Sequence, residues 1–378
     1  MYGPPIELRR EPYEEETLVY INDPEYYTRY FAELPMDTEE ISMGKIDRIT
    51  RGELKRLPDL DRFERLTRIS IVNMGLVELG KLPPNVTHLD LYCNNIELLP
   101  ILPPSLIEMN CRSNAIRMLP KLPTKLVNLY VGDNKLKFMP MLPLTLEKLS
   151  CDSNCLLHLP KLVGLSKLLH LSCDSNQLAY LPQLPESLST LTCGRNPMRQ
   201  LPALPASLSN LHCYKAMLEC LPALPDNISC INVDKNQLTR LPKLPRYLTS
   251  LSAADNKLVV MPRLNGALST LTISNNCITV FPVINPNLIR ISYHNNPIEN
   301  TFELDIRYGA PIKTRQIRTI QKFRWQFFAQ KMKPKFVAWL WAARRNMAER
   351  KYSPDKLKEF LAENADMELE EALEIFFK

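Results

Sequence analysis

Ten cysteines and five histidines are the residues of this 378-residue chain whose chemistry most readily builds a site. Thiolates and imidazoles serve as nucleophiles, proton carriers and metal ligands. Cys151, Cys173, Cys193 and Cys213 follow one another at steps of 20 or 22 residues, and the sequence contains no C-x-x-C pair. Zinc sites usually need such closely spaced pairs. We therefore expect neither a metal site nor a cofactor.

The cysteines share one position of a repeating pattern. Cys111, Cys173 and Cys193 stand where equivalent segments have Leu91 or Val131. A residue that exchanges with leucine and valine behaves as a small hydrophobic side chain, so we expect these thiols to be buried and reduced. Cysteines on adjacent parallel strands would have Cα atoms ~4.8 Å apart, which lies inside the range of a disulfide. The sequence alone therefore leaves pairing open.

A histidine beside a carboxylate offers a second kind of chemistry. His170 with Asp152 or Asp174 is a conceivable general base, because a carboxylate can orient an imidazole that accepts a proton. The pattern predicts that all three side chains project from an open sheet, which has no pocket to exclude water and no nucleophile nearby. We therefore expect the protein not to be an enzyme.

A pattern twenty residues long positions all of these side chains. In the stretch Leu191–Leu211 it reads L-T-C-G-R-N-P-M-R-Q-L-P-A-L-P-A-S-L-S-N-L. A unit that recurs at a fixed period stacks on its neighbours as a solenoid. One step is two residues longer, where Val163-Gly164-Leu165 interrupts the pattern. Twelve repeats are expected, with their first inward strand residues at Ile69, Leu89, Met109, Leu129, Leu149, Leu171, Leu191, Leu211, Ile231, Leu251, Leu271 and Ile291.

Each repeat divides into a strand, a turn and an extended return. Leu191 and Cys193 alternate with Thr192, so the strand turns the first two toward the core and the third outward. Asn196 follows the strand, where its carboxamide can bond backbone groups that the turn leaves unpaired. The prolines that follow favour an extended, polyproline-like return, because proline fixes φ and lacks an N–H.

The motif L-P-x-L-P-x-x-L, followed by N-x-L, spans residues 49–300. It resembles the short leucine-rich repeats of secreted enterobacterial effectors of the YopM and IpaH type, and of leucine-rich proteins from giant DNA viruses of amoebae. The resemblance implies an α/β-like solenoid: a leucine-rich-repeat horseshoe with a parallel concave β-sheet and a polyproline-like convex side. The sequence predicts an additional C-terminal α-helical segment in this chain. The resemblance also implies a protein that binds another protein, often on the concave sheet.

The resemblance to IpaH-type effectors does not extend to their enzymatic part. In those proteins a large ubiquitin-ligase domain with a catalytic cysteine follows the repeats. This chain has no cysteine after Cys277 and no histidine after His294. The segment after the repeats therefore lacks a thiol nucleophile and an imidazole, and we expect this chain not to act as a ligase of that type.

Composition divides the chain into three segments within a net charge of +6. Residues 1–45 are acidic and rich in tyrosine, and we expect a leader or cap, with a short helix over residues 25–34. We expect residues 46–300 to form the solenoid and residues 301–378 to form a helical C-terminal cap or tail. No apolar signal peptide or membrane-spanning stretch is present, so we place the protein inside a cell, in the host cytoplasm or virion if it is viral.

The outward residues of the concave sheet are the candidate binding site. We expect this face to bind a partner protein, with tyrosine and arginine as anchors, and the chain to act as a non-enzymatic scaffold, with a host target if it is a viral protein. A solvated face without a ligand is the simpler alternative, because exposed polar residues are normal. The candidate residues are His88, Tyr92, Arg112, Tyr130, Asp152, His170, Asp174, His212, Tyr214 and Asp234.

A basic segment, residues 313–351, supports a different hypothesis. Helices with lysine and arginine on one side and tryptophan nearby can bind nucleic acid or an anionic surface. The protein would then be a nucleic-acid-binding or virion-assembly factor. Alternatively, the apolar stripe of these helices covers the last repeat and the charges are solvated, because the end of a solenoid needs a cap.

Overall fold

The computed structural model describes residues 24–44, 54–280, 287–298, 360–362 and 364. The basic segment 313–351 and the helices expected there lie outside these ranges. Within them, helix α1 spans Pro24–Glu33, and residues 360–362 are also helical. The strands are β1 (Glu40–Gly44), β2 (Arg56–Leu57), β3 (Arg68–Val72), β4 (Glu78–Leu79), β5 (His88–Asp90), β6 (Glu108–Asn110), β7 (Asn128–Tyr130), β8 (Lys148–Ser150), β9 (His170–Ser172), β10 (Thr190–Thr192), β11 (Asn210–His212), β12 (Cys230–Asn232), β13 (Ser250–Ser252), β14 (Thr270–Thr272) and β15 (Arg290–Ser292).

A single 13-stranded sheet contains every strand except β2 and β4, and its strands follow one another in chain order from β1 to β15. Neighbouring strands are parallel, and the register advances by one repeat: Leu191 pairs with Leu171 on one side and with Leu211 on the other. Strands β2 and β4 form a separate parallel pair. The parallel solenoid predicted from the twenty-residue period is thereby confirmed.

The interior of the solenoid is a stack of equivalent apolar side chains. Leu191, the middle residue of β10, and Cys193, just beyond it, are fully buried, whereas Thr190 and Thr192 are partly exposed. The same alternation recurs from strand to strand. Because side chains alternate across a strand, two buried positions per repeat form continuous columns when the strands align in register.

The return segments, here called limbs, contain neither helix nor strand in their described residues from the repeat of Leu89 onward, whereas β4 lies in the limb of the repeat before it. In the limb of residues 134–146, Leu136 and Leu146 are buried, while Phe138, Met141 and Leu144 are exposed. Exposure at every third residue fits an extended polyproline-type chain, which has three residues per turn. The limbs therefore bury one side against the sheet and present the other to solvent, as the paired prolines predict.

Buried asparagines form a ladder along the solenoid. Asn196 donates from Nδ2 to the carbonyl oxygens of Cys193, in its own turn, at 3.1 Å and of Cys173, in the preceding turn, at 3.0 Å. Its Oδ1 accepts from the amide of Leu178 at 3.0 Å. One carboxamide thus satisfies backbone groups of two turns, which the sequence predicted from the recurring asparagine.

A left-handed residue precedes each ladder asparagine. The φ angles at this position lie between 51° and 58°, and the position is never glycine in the described turns. A left-handed conformation costs residues other than glycine about 1–2 kcal/mol, so each turn stores some strain that the ladder hydrogen bonds must offset. The residues are Asn73, Cys93, Ser113, Asp133, Ser153, Ser175, Arg195, Lys215, Lys235, Asp255, Asn275 and Asn295.

Two of the described turns lack the ladder asparagine, and in both the backbone finds the same substitute hydrogen bond. Met74 and Ala216 occupy the asparagine position, and each donates its amide to the Oδ1 of the asparagine in the next turn, at 3.0 and 3.1 Å. The following residues, Gly75 and Met217, then adopt positive φ angles of 75° and 61°. In these two turns the backbone amide at the asparagine position therefore keeps a hydrogen-bond partner, but a second residue of the turn becomes left-handed.

Helix α1 lies at the first turns of the solenoid and matches the helix expected at residues 25–34. Phe31 is buried. The guanidinium of Arg62 donates to the carbonyl oxygens of Phe31 and Ala32, which belong to the last turn of the helix. Since such carbonyls lack partners inside a helix, the arginine both caps α1 and ties it to the solenoid. Strand β1, inside the predicted leader of residues 1–45, already belongs to the sheet.

We expect Asn94→Ala to destabilise the protein by about 2–4 kcal/mol, because Ala leaves buried backbone groups without partners. Asn94 accepts from the amides of Met74 and Leu76 and donates to the carbonyls of Ile71 and Leu91. The adjacent Asn95 is exposed and supplies a control for composition and position. Urea unfolding measures both variants, and equal losses for Asn94→Ala and Asn95→Ala would contradict the role of the ladder.

We expect Met217→Gly to raise the free energy of unfolding by about 0.5–1 kcal/mol, because glycine adopts positive φ without the penalty of a Cβ atom. Met217 is about half exposed, so little packing is lost. Lys257 follows a ladder asparagine at the equivalent position without a positive φ. Lys257→Gly should therefore lower stability by about 0.5–1 kcal/mol. Thermal unfolding distinguishes the opposite signs.

Candidate functional site

The exposed face of the sheet carries all ten candidate residues, and each is at least partly exposed. They stand in three rows because equivalent residues of successive repeats align across the parallel strands. The first strand residue of a repeat supplies His88 and His170, the third supplies Tyr130 and His212, and the second residue after the strand supplies Tyr92, Arg112, Asp152, Asp174, Tyr214 and Asp234.

Arg112 reaches across two neighbouring repeats. Its guanidinium carbon lies 4.9 Å from the ring centroid of Tyr130, and its Nη2 donates to Oγ of Ser150 at 2.6 Å. The side chain passes over Gly132, whose missing Cβ atom would lie 3.6 Å from Nε of Arg112. A cation over an aromatic ring is attracted to it, and the hydrogen bond fixes its direction. Arg112 is therefore held in place before any ligand arrives.

The carboxylate of Asp152 continues this hydrogen-bonded chain. Ser150 Oγ donates to its Oδ2 at 2.6 Å, and Ser172 Oγ donates to its Oδ1 at 2.5 Å. The backbone amide of Asp174 also donates to Oδ1, at 2.9 Å. The chain Arg112, Ser150, Asp152, Ser172 thus joins three repeats through side chains alone, and it crosses the repeat of Leu129 between the first two. Both serine hydroxyls are therefore committed as donors to the carboxylate, and that of Ser150 also accepts from Arg112.

Asp174 lies in the next repeat and is partly desolvated. Burial raises the pKa of its carboxyl from 3.8 to about 6, and the nearby charge of Asp152 raises this pKa further. The amide of Gly194 donates to Oδ1 of Asp174 and lowers the same pKa. A side chain at position 194 is not tolerated, since its Cβ atom would meet the carbonyl oxygen of Tyr214 at 2.5 Å and its ring at 2.8 Å. Glycine is thus required for Tyr214 to lie against this part of the face.

A depression of about 180 Å³ opens beside Arg112 and Tyr130. Its cationic groups are Arg112 and Lys148, and His170 supplies a titratable imidazole. Hydroxyl-bearing residues of three neighbouring repeats complete its lining, so the site combines fixed hydrogen-bond donors with acceptors. The lining residues are Arg112, Tyr130, Lys148, Leu149, Ser150, His170, Leu171, Ser172, Thr190 and Thr192.

Other candidate residues lie on the same face outside this depression. Asp234 accepts from Ser252 Oγ at both carboxylate oxygens, at 2.8 Å, and from the amide of Ala254 at 2.7 Å. Burial raises the pKa of Asp234, and burial lowers the pKa of His212. Nδ1 of His88 lies 2.9 Å from the hydroxyl of its neighbour Thr87. These residues extend the polar face but do not line the depression.

The small residues in the floor of the depression were missed by the sequence analysis. At the third strand position, Tyr130 and His212 are large, whereas Ser150, Ser172 and Thr192 between them are small. A run of small residues between two large ones predicts a hollow once the strands are aligned. That size pattern was the available signal.

The hypothetical pairing of His170 with a carboxylate does not form. No hydrogen bond joins its imidazole to Asp152 or Asp174 in the described structure, and both carboxylates are engaged by serine hydroxyls or backbone amides. No group of three or more His, Cys, Asp or Glu side chains in the described ranges is arranged to hold a metal ion. No described helix has the length and apolarity needed to cross a bilayer.

The five cysteines at the inward position are buried and free, as expected for small hydrophobic side chains. Burial raises the pKa of Cys111 to about 12 and raises that of Cys151 as well. The closest contact in this column is between Sγ of Cys193 and Sγ of Cys213, at 2.7 Å. Neutral thiols of this kind are poor nucleophiles, because the thiolate is the reactive form.

A larger depression, of about 430 Å³, lies between the limbs of three repeats and away from the sheet face. Its charged residues, Arg199 and Glu219, form an exposed ion pair at 3.5 Å. An exposed pair contributes little and leaves no fixed charge for a ligand. Size alone therefore does not make it the better candidate. Its lining is Ala179, Tyr180, Pro197, Arg199, Gln200, Glu219 and Cys220.

Solved structures with similar folds are leucine-rich-repeat proteins. YopM from Yersinia enterocolitica WA-314 is 34% identical over 65% of this chain, with a TM-score of 0.53. The match covers 63% of the YopM chain, so this chain spans less than two thirds of that protein's length. YopM from Yersinia pestis, described as a leucine-rich effector protein, is 30% identical over 59% of this chain and 76% of its own length, with a TM-score of 0.50.

A third similar structure shows the fold alone. The functional domain of InlJ from Listeria monocytogenes, described as including a cysteine ladder, is 19% identical over 65% of this chain and 60% of its own, with a TM-score of 0.51. No protein-family model matches the chain, and no curated protein matches its sequence.

We expect Asp174→Asn to stabilise the protein at pH 8 by about 1 kcal/mol, after allowance for solvent screening. The carboxyl has a pKa of about 6 when folded, against 3.8 as its ordinary value, so the folded state binds more protons between these pH values. The stability of the parent protein therefore falls as pH rises through this window. Asparagine is neutral throughout and can still accept from Gly194.

Urea unfolding at several pH values checks this expectation. The advantage of Asp174→Asn should shrink as the pH is lowered from 6 toward 4, because the parent carboxyl then becomes neutral as well. Asp226→Asn makes the same substitution at an exposed limb position and is the matched control, because it removes no buried charge. A pH-independent loss of stability in Asp174→Asn would contradict the burial of this charge.

Proposed function

The chain belongs to the YopM-like leucine-rich-repeat proteins, and on this premise we propose that it is a non-enzymatic scaffold that binds a partner protein on the exposed face of its sheet. The observation that carries the proposal is the hydrogen-bonded chain from Arg112 through Ser150 and Asp152 to Ser172. Side chains fixed before binding lose little conformational entropy on contact, which leaves more of the interaction energy for affinity.

The composition of the face supports a protein ligand. Tyr130 and Tyr214 offer large, partly exposed rings, and each has an arginine against it, at 4.9 Å for Arg112 and 5.3 Å for Arg195. Tyrosine and arginine are the residue types enriched among the contacts that dominate binding energy in interfaces. The open sheet also suits a protein better than a small molecule, which needs enclosure on most sides.

The charges around the depression favour an acidic side chain of the partner. Arg112 and Lys148 supply positive charge, and His170 adds a further donor on the rim. A carboxylate placed there accepts charge-assisted hydrogen bonds, which are stronger than neutral ones. The nearby Asp152 is engaged by Ser150 and Ser172, so its repulsion of an incoming anion is reduced. We therefore assign the depression to an Asp or Glu side chain of the partner.

The resemblance to secreted effectors and to proteins of amoebal viruses suggests that the partner is a protein of a host cell. The Yersinia pestis relative is described as an effector protein. A solenoid suits this role because its inward residues maintain the fold while its outward residues vary without disturbing the core.

We expect Arg112→Ala combined with Tyr130→Ala to weaken partner binding at least about tenfold, or about 1.4 kcal/mol. The full chain is used to capture proteins from a host-cell lysate, and the captured partner is then purified and its Kd measured. The variant removes the cation and the ring against which it lies, which border the depression. Its melting temperature should change little, because both side chains are on the exposed face.

Thr270→Ala combined with Thr272→Ala is the matched control, since both residues lie on β14, on the same face but far along the sheet. The control should retain the parent Kd. Deletion of residues 312–378 should also leave capture intact. Equal affinities for the two double variants would place the interface elsewhere, and loss of all capture on deletion would assign binding to the C-terminal segment.

A further inference from the structure

The limbs present a second surface, on the side of the solenoid away from the exposed sheet face. Three successive limbs, residues 114–126, 134–146 and 154–168, contain no acidic residue. All of their basic residues are exposed. Such one-signed stretches are unusual in a chain whose acidic and basic residues are nearly balanced in number, 41 against 47. The basic residues are Arg117, Lys121, Lys125, Lys135, Lys137, Lys161 and Lys167.

The same limbs and the one before them expose large apolar side chains. Ile101 and Met141 leave 90% and 88% of their surface in solvent, and the other members of the set leave between 60% and 68%. Exposed apolar patches above about 300–600 Å² are rare on soluble proteins and mark interaction sites. We call these side chains, together with the basic residues of the three limbs, the apolar-basic patch. Its apolar members are Leu98, Ile101, Met118, Phe138, Met141, Leu144 and Val163.

The patch is contiguous because of the limb geometry. Phe138, Met141 and Leu144 are three residues apart, and a chain with three residues per turn places them on one side. Adjacent repeats stack at ~4.8 Å across the sheet, so equivalent positions of neighbouring limbs are neighbours in space. Cδ2 of Leu144 accordingly lies 4.0 Å from the position that a Cβ atom of Gly164 would take in the next limb.

All but one of the charges of the patch lack an ion-pair partner within the described structure. Its one ion pair there joins Arg117 to Glu97 of the preceding limb, at 3.9 Å between two exposed side chains. Lys121, Lys137 and Lys161 have no ion-pair partner among the described residues. Neither packing nor internal charge pairing therefore explains why these limbs combine lysine with exposed aliphatic and aromatic residues.

We propose that the apolar-basic patch binds the surface of an anionic lipid bilayer. Lysines attract the phosphate and carboxylate groups of lipid headgroups, while protruding apolar side chains enter the boundary between headgroups and acyl chains. The side chains of the patch suit such insertion because they project with up to nine-tenths of their surface free.

Nucleic acid fits this composition less well. A protein that binds phosphates of DNA or RNA gains little from Ile101, Leu98 or Met141, because these aliphatic side chains neither stack on bases nor pair with phosphate. Lysine also outnumbers arginine here, which favours point-charge attraction to a surface over bidentate recognition. An acidic helical peptide needs a groove to receive it, and the two depressions described above lie outside the patch.

The rest of the limb surface adds a matched comparison. The equivalent exposed positions are Gln200, Ala203 and Ala206 in the limb of residues 196–208, so that limb lacks the apolar bulk. Its one basic residue, Arg199, is paired with Glu219 at 3.5 Å. Its fold is the same, with buried Met198 and Leu208 at the corresponding inward positions. Substitutions in the two limbs can therefore be compared at the same backbone sites.

Vesicle sedimentation of the full chain tests the proposal, with phosphatidylcholine vesicles that contain or lack phosphatidylserine. We expect binding to the phosphatidylserine vesicles and not to phosphatidylcholine alone. Lys121→Glu combined with Lys161→Glu should lower the partition coefficient at least about tenfold. Lys215→Glu combined with Lys235→Glu makes the same charge change at exposed turn residues outside the limbs and should have a clearly smaller effect.

The apolar contribution has its own pair of variants. Phe138→Ser, Met141→Ser and Leu144→Ser together should lower binding at least about tenfold and remove the part that survives high salt, because burial of apolar groups is not screened by ions. Gln200→Ser, Ala203→Ser and Ala206→Ser together should bind as the parent does. Circular dichroism and melting temperature confirm that each variant is folded before it is compared.

Three outcomes would overturn the proposal. The first is no binding of the folded parent chain to phosphatidylserine vesicles. The second is full binding by both patch variants, which assigns vesicle binding to another part of the chain. The third is tight binding to a DNA or RNA oligonucleotide that the lysine variant loses and the serine variant keeps, while the serine variant still binds vesicles as the parent does. That result would assign the patch to nucleic acid. The protein-binding proposal depends on none of these results.

Discussion

Hydrogen bonds from a buried asparagine to the backbone of two successive turns are the interaction on which this solenoid depends. A strand of three residues makes few ladder bonds, and the sharp turn after it leaves carbonyl and amide groups facing the core. Asn114 donates to the carbonyls of Leu91 and Cys111 and accepts from the amide of Ile96. In the described residues no buried side-chain nitrogen or oxygen lacks a partner. A core of leucine therefore tolerates polar turns because each turn is satisfied by its neighbour.

This constraint also explains where the sequence is free to vary. Backbone pairing and the inward leucines maintain the turn, so the outward strand positions carry no structural duty beyond fitting beside one another. Gly132 and Gly194 mark the places where that fit matters, because Arg112 lies over one and Tyr214 over the other. The polar face thus consists of side chains about twenty residues apart in sequence that are neighbours in space. Their size and hydrogen-bonding capacity determine how they fit together, and they do not determine the fold.

The fold was predictable from the sequence because its two strongest signals are periodic. Alternation around Leu191 and the recurrence of Asn196 determine which side chains point inward, and the structure agrees at both. The left-handed residue before each asparagine was not predictable, since residue types as different as Arg195 and Asp133 occupy it. The presence of glycine does not predict a left-handed residue where tertiary hydrogen bonds, rather than local preference, impose the conformation.

The candidate face was predictable to the level of rows, and the depression within it was not. Period two decides that Tyr130 and His170 point outward, but the hollow exists because Ser150 and Ser172 are small on adjacent strands, and the linear sequence separates them by 22 residues. Whether Arg112 extends into solvent or lies along the face depends on a hydrogen bond to a serine 38 residues away. Such choices of side-chain direction follow from the assembled neighbours and cannot be obtained from one repeat at a time.

Two surfaces with different chemistry can coexist on this chain because the core separates them. The sheet face has acidic and basic groups joined in hydrogen-bonded chains, as at Asp152 and Arg112, which suits recognition of one particular partner. The apolar-basic patch has lysines without an ion-pair partner among the described residues and protruding apolar side chains, which suits attraction to a surface without fixed geometry. A change in one set leaves the buried leucines between them untouched. The solenoid therefore allows the binding of a protein and the approach to a lipid surface to be altered separately, since neither depends on the side chains of the other.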